Sequence, residues 1–268
     1  MPDRRLHDPA YLRRSQYGSP ARLSARISLH DRYSVNPVGW HRWVFDQMDL
    51  PADAVVLEVG CGTGALWQRN ADRVPAGWRV TLSDFSPGML AGADRRLREG
   101  PWRPAAFLLA DVTRLPLGPA SVDAVIANHM LYHVDDRERA VAEIARVLRP
   151  SGTLFATTNG YRHVEEIVDL ARRAGMGGGR VSDAERFGFE SGEKLLSGRF
   201  RDVEVLVHAN ALQVPDVEPV VGFLESTADA REVSRVALDY VRDEVARKIS
   251  AHGFLTVTTE AGMLRARK

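Results

Sequence analysis

The chain has 268 residues, 44% hydrophobic and 26% charged, which suits one large domain or a domain with a modest attachment and excludes both a disordered chain and a disulfide-stapled miniprotein. Its 36 Lys+Arg balance 35 Asp+Glu, so no global field draws it to nucleic acid or anionic lipid. A single cysteine, Cys61, excludes an intrachain disulfide and a Cys-based zinc site.

Residues 1–20 are polar, broken by Pro2, Pro9, Gly18 and Pro20, and read as an arm or lid. They lack the apolar core of a secretory signal, and no window approaches the roughly 20 apolar residues that cross a bilayer, so a soluble cytoplasmic protein is expected. Residues 21–34 read as a helix, and Trp40, Trp43, Val44 and Met48 fall at helical spacing. AVVLEVG then reads as a buried strand ending in a tight glycine turn. A helix over 65–73, a strand WRVTLSD and a helix over 86–98 follow. That second helix opens on Ser86–Pro87, a good N-cap and a good first-turn proline.

AAFLLAD and SVDAVIAN read as the third and fourth strands. Residues 135–148 form an amphipathic helix capped by Asp135 or Asp136 and stopped by Pro150–Ser151–Gly152, and GTLFATTN is the fifth strand. Strands and helices alternating over 53–158 give a parallel sheet covered by helices on both faces. Beyond it, 162–174 and 188–198 read as helices, 175–180 (GMGGGR) as a flexible connector, RDVEVLVHANALQV as strand, 215–249 as mostly helix, and GFLTVTTEAGMLRARK as a terminal strand or hairpin.

The chemistry concentrates where the first strand meets the glycine turn Gly60-Cys61-Gly62-Thr63-Gly64. Glycines there permit positive φ and close ligand approach, and open parallel sheets bind ligands beyond their carboxyl ends. Gly60, Gly62 and Ala65 also satisfy the dinucleotide pattern, and Asp84 at the end of the second strand could accept ribose hydroxyls under either reading. Glu58 and Asp111 separate the two. A carboxylate beside the turn opposes a pyrophosphate but welcomes a cationic amino acid tail, and Asp111 can accept from an adenine amine.

Taken together, EVGCGTG, SDFSPGML, ADVTRLPL, SVDAVIANHMLYHV and IARVLRPSGTLFATT resemble, in order and spacing, the successive motifs of class I S-adenosylmethionine-dependent methyltransferases, nearest to the small-molecule branch. The resemblance implies a Rossmann-like, doubly wound seven-stranded sheet with helices on both faces, six parallel strands, and an antiparallel last strand drawn from 254–267. It implies an N-terminal helical lid over 1–50, a methyltransferase domain over 51–268 and an acceptor-specific insertion around 160–230. It also implies S-adenosylmethionine as cofactor, S-adenosylhomocysteine as product, and a small-molecule acceptor methylated at O, N or C.

By the same resemblance Glu58, Gly60, Cys61 and Gly62 line the methionine side of the cofactor. Asp84 holds the ribose, Phe85 and Met89 pack near ribose and adenine, Asp111 and Val112 meet the adenine edge, and the Asn128 backbone contacts the methionine part. His133 is the first choice for an acceptor-facing base or orienting group, with His129 and Tyr132 behind it. Tyr33 faces the sulfonium and Trp40 walls the acceptor pocket. Trp67 and Gln68 depart from the usual pattern after the turn. No metal, nucleic acid or membrane partner is expected, and a monomer or homodimer is. The rivals are an NAD(P)-dependent oxidoreductase and a non-catalytic protein that binds the same cofactor.

Overall fold

The computed structural model describes residues 20–176, 183–227 and 233–268. The expectations for residues 1–19 and for 177–180 of the connector lie outside the described residues.

Helices α1 (Pro20–Tyr33) and α2 (Trp40–Asp46) precede the sheet. Then come β1 (Val55–Val59), α3 (Ala65–Arg69), β2 (Arg79–Asp84), α4 (Pro87–Arg98), β3 (Ala106–Leu109), β4 (Val122–Asn128), α5 (Arg137–Val147) and β5 (Leu148–Asn159). The rest is α6 (Glu165–Arg173), α7 (Asp183–Phe187), α8 (Phe189–Leu196), β6 (Arg201–Val214), α9 (Glu218–Thr227), α10 (Arg235–His252) and β7 (Leu255–Arg267). The seven strands lie in the order β3-β2-β1-β4-β5-β7-β6. Strands β1 to β5 pair in parallel, and β7 pairs antiparallel with both β5 and β6. The reversed strand is therefore the expected one.

The chain starts at the sheet's centre, runs outward to β3, and returns to lay β4 on the other side of β1. Beyond the carboxyl ends of β1 and β4 this reversal opens a crevice, because the following connections turn opposite ways. Strand periodicity sorts the core by face. Val56 packs into one cluster with Val44, Leu82, Ala93, Leu97 and Phe155, while its neighbour Leu57 packs into another with Val125, Val141, Ile144 and Leu154. A third cluster joins α1, α6, α9 and α10 to the outer ends of β6 and β7 through Leu29, Ile167, Leu212, Val221, Val241 and Val257.

Three boundaries differ from the sequence reading. Helix α3 stops at Arg69 rather than 73 because the buried Asn70 amide donates to the carbonyls of Leu66 and His41, closing the helix and tying it to α2. Helix α5, capped by Asp136, stops at Val147, before the Pro-Ser-Gly stop; β5 begins at Leu148 and carries Pro150 within it, beside a register shift between Val122 and Ala124. A residue before proline favours extended backbone, so Arg149 continues a strand more readily than a helix. The short helix α7 was not anticipated.

Candidate functional site

Three carboxylates mark the ends of the first three strands. Glu58, Asp84 and Asp111 all line one cavity of about 1390 Å³ at the carboxyl edge of the sheet. That volume exceeds what one small ligand usually fills.

The glycine turn forms the cavity floor. Gly60, Gly62 and Gly64 have φ of 66°, 54° and 71°, the left-handed region that glycine enters without strain. A Cβ on Gly60 would stand 2.8 Å from the Cβ of Met130, so position 60 has no room for a side chain. Asp84 fastens the turn: its carboxylate accepts from the Gly62 amide at 2.9 Å and from the Ser86 amide at 2.8 Å. Burial pushes Asp84 up, and the Ser86, Gly62 and Phe85 amides oppose that rise. Ser86 also caps α4, accepting from the Met89 amide. Phe85 is half-buried and Met89 fully buried, and both line the cavity.

Glu58 is 1% exposed and accepts from the Trp67 indole N–H at 2.6 Å. Trp67 is buried in turn and stacks on Trp102, ring centres 5.1 Å apart. The residue that departed from the motif is thus the partner of the motif's carboxylate. Burial pushes Glu58 up to about 8, against the Trp67 bond, so by itself the site favours the protonated carboxyl, and a neighbouring cation would favour the ionised one. Desolvation pushes the Cys61 thiol well up, as suits a small residue filling a turn rather than a nucleophile. Asp111 is exposed, with one oxygen turned to the Thr113 amide and hydroxyl, each at 2.8 Å, and Val112 beside it is buried.

The wall past β4 is built around a kink. His129 has φ 52°, an uncommon conformation for a residue with a Cβ, and its amide donates to Thr157 Oγ1 at 2.9 Å. Thr157 donates onward to the Asn128 side chain at 2.6 Å. The kink sets the His129 ring 4.9 Å from that of Trp40, and loss of water there pushes His129 down to about 3. Tyr132 is buried, with its ring edge-on to His133 at 4.5 Å, and His133 stands half-buried on the cavity wall.

Of the sequence-predicted residues, Glu58, Gly60, Cys61, Gly62, Asp84, Phe85, Met89, Asp111, Val112, Asn128, His129 and His133 line this cavity together. Tyr33 does not. Its ring packs against the cluster shared by α1, α9 and α10, under the Arg32 guanidinium. The helical turn of α1 presents Ile27, His30 and Asp31 to the cavity instead. Sequence reasoning also missed Asn159 at the end of β5, His163 after it, His208 on β6 and Thr259 on β7, all on the wall. The strand-end rule that found Asp84 and Asp111 would have found Asn159 and His163 had it been carried one strand further. Among the described residues no group of three or more His, Cys, Asp or Glu could hold a metal ion, and no helix is long and apolar enough to cross a membrane.

Comparison with known proteins agrees with this geometry. Residues 57–156 match the family described as "Methyltransferase domain". An uncharacterized methyltransferase of Mycobacterium bovis is 37% identical over 103 residues, 38% of this chain and 49% of that protein. A demethylmenaquinone methyltransferase of Renibacterium salmoninarum is 38% identical over 116 residues, 43% of this chain and 45% of that protein. The chain thus spans about half the length of the curated relatives it matches. The solved structure of Haemonchus contortus phosphoethanolamine N-methyltransferase 2, in complex with phosphomonomethylethanolamine and S-adenosylhomocysteine, superposes with a TM-score of 0.59 at 19% identity, covering 98% of this chain and 60% of that one. At that identity the likeness is one of fold.

Proposed function

We propose that this chain, whose residues 57–156 form a methyltransferase domain on the class I S-adenosylmethionine-dependent methyltransferase fold, transfers methyl groups from S-adenosylmethionine to a small-molecule acceptor. The observation that carries the reading is the convergence of Glu58, Asp84 and Asp111 with the glycine turn on a cavity large enough for two reactants. The residues fit the cofactor: glycines where backbone must come close, an acid in place for ribose, and two more at either end of an elongated ligand.

In this reading Glu58, Gly60, Cys61 and Gly62 border the amino acid part, with the Asn128 backbone opposite. Asp84 accepts the ribose hydroxyls through the lone pairs that its bonds to backbone amides leave over. Phe85 and Met89 pack against ribose and adenine, and Asp111 and Val112 border the adenine edge. When bound, S-adenosylmethionine supplies a methyl group activated by its sulfonium. What the chain adds is position and exclusion of water. His133 is the proposed acceptor-facing base or orienting group, since its half-exposed ring can pass a proton to solvent. His129, held uncharged and wedged against Trp40, shapes the wall. Residues 1–50 act as the lid and the segment around 160–230 sets acceptor choice.

Calorimetry tests the reading directly. S-adenosylhomocysteine should bind in the micromolar range and NADH should not. NADH binding in place of the adenosyl ligand would establish the oxidoreductase rival. Consumption of the methyl donor across a metabolite panel separates an enzyme from a non-catalytic binder.

A further inference from the structure

The strand ends divide the cavity by polarity. Carboxylates stand over β3, β2 and β1, while Asn128 and His129 over β4, Asn159 and His163 over β5, Thr259 on β7 and His208 on β6 form an uncharged wall. Carboxylates on the connections after β4 and β5 also line the cavity, and Asp135, Glu165 and Asp169 among them are paired with Arg186, Arg162 and Arg172. Of the chain's 8 histidines, His30, His41, His129, His133, His163 and His208 line this one cavity, far more than a random scatter would bring there. Two arginines also line it among the described residues, and both are engaged: Arg69 with Asp31 and Arg172 with Asp169.

The wall also carries unmatched hydrogen-bonding groups. Among the described residues, the buried side-chain polar atoms without a partner are Trp40 Nε1, Asn159 Oδ1, His163 Nδ1 and Thr259 Oγ1. All four residues line this cavity. Folded proteins match nearly all their buried polar groups, so four orphans on one wall mark a place where a bound molecule completes the set. Turning these side chains toward a ligand breaks no hydrogen bond, because those atoms make none.

Their chemistry specifies the ligand. An indole N–H only donates, so the ligand must offer an acceptor oxygen. An amide oxygen only accepts, so the ligand must also offer an O–H or N–H. Threonine and a neutral imidazole serve either way. The surrounding surfaces are ring faces: Trp40 lies against Trp43 at 5.3 Å and His129 at 4.9 Å, and His30 stacks on His163 at 5.4 Å with 10° between planes. Such walls take a flat molecule. We propose that the β4–β6 half of the cavity is the acceptor subsite and that it takes an uncharged planar ring carrying both hydroxyl and carbonyl oxygens, such as a phenol or enol. A phosphate ester would find no disengaged cation, and an ammonium, with donors only, would leave the Trp40 N–H unmatched. The inference rests on the cofactor reading for the other half of the cavity.

The test is calorimetry on the full chain at neutral pH with three probes, 2,4-dihydroxyacetophenone, phosphoethanolamine and phenethylamine, each with and without saturating S-adenosylhomocysteine. The phenol should bind and the other two should not. Trp40→Phe, Asn159→Leu and the near-isosteric Thr259→Val should each weaken the phenol roughly three- to tenfold, the value of one neutral hydrogen bond. S-adenosylhomocysteine affinity should stay within about twofold, reporting an intact fold; a variant that loses it is set aside and the remaining two decide. Binding of phosphoethanolamine or phenethylamine as tightly as the phenol, no binding of the phenol, or variants that leave its affinity unchanged overturns the proposal. A wild-type chain that binds the phenol but not S-adenosylhomocysteine overturns the cofactor reading and leaves the ring-binding wall standing.

Discussion

The Trp67 indole donates its one proton to the Glu58 carboxylate across 2.6 Å, both side chains being shut from water. Trp67→Phe keeps most of the stack on Trp102 but leaves the carboxyl with no donor. We expect a loss of about 1–3 kcal/mol in stability, the penalty for orphaning a buried polar group, read from the urea midpoint. Glu58→Gln in the Trp67→Phe background should cost little more, since the two residues act as one unit.

Stability should peak near pH 6.5. Desolvation pushes His30 and His41 down to about 4 and His129 to about 3 from an unfolded value of 6.5. Their contribution is present above pH 6.5 and is lost as pH falls through the folded values. Burial pushes Glu58 the other way, from 4.5 to about 8. Its contribution is present below pH 4.5 and is lost as pH rises toward 8. Between 4.5 and 6.5 the histidines outnumber Glu58, so stability climbs; above 6.5 Glu58 pulls it down. Thermal midpoints against pH should show both limbs, and Glu58→Gln should flatten the alkaline one.

Asp84→Ala removes the proposed ribose acceptor, its tie to the turn at Gly62 and its bond to the Ser86 amide. S-adenosylhomocysteine should bind about 1.5–3 kcal/mol more weakly by calorimetry, the range for hydrogen bonds to a charged group. Unchanged affinity would remove Asp84 from the site.

Gly60→Ala meets two obstacles, a φ of 66° and a contact at 2.8 Å with Met130. Cofactor affinity and melting temperature should both fall, the backbone part alone by about 1 kcal/mol. Adding Met130→Gly, which removes the Cβ as well as the Cγ, should recover the contact part and not the backbone part. Full recovery would mean that the left-handed turn is not a requirement.

His133→Ala should slow turnover by about 10²–10⁴ if the residue carries general base chemistry, with S-adenosylhomocysteine affinity held. Tyr33→Phe should leave the rate near wild type, because that ring packs between helices away from the cavity. The opposite pattern would return the catalytic role to Tyr33.

Strands β1 to β4 were legible because each is a short, largely apolar run stopped by a turn, and the reversed strand because the resemblance supplied it. Asp84 and Asp111 were legible because they end strands read correctly. Tyr33 was misplaced because a short helix pattern with His30 and Tyr33 near one face does not say which of them meets a ligand. The Glu58–Trp67 bond was out of reach because it spans a turn whose three-dimensional path the sequence does not state. The uncharged wall was missed for a different reason: Thr259 and His208 lie far along the chain from the motifs, and only the β5-β7-β6 pairing brings them beside Asn159.

That pairing also constrains assembly. Strand β6 touches the rest of the sheet through β7, which follows it only after two helices. On the ribosome the carboxylate half, complete once Asp111 has emerged, can take shape early. Strand β6 has no strand to join until β7 threads into the gap beside β5. A nascent chain should therefore gain its grip on the adenosyl group well before it can discriminate among acceptors.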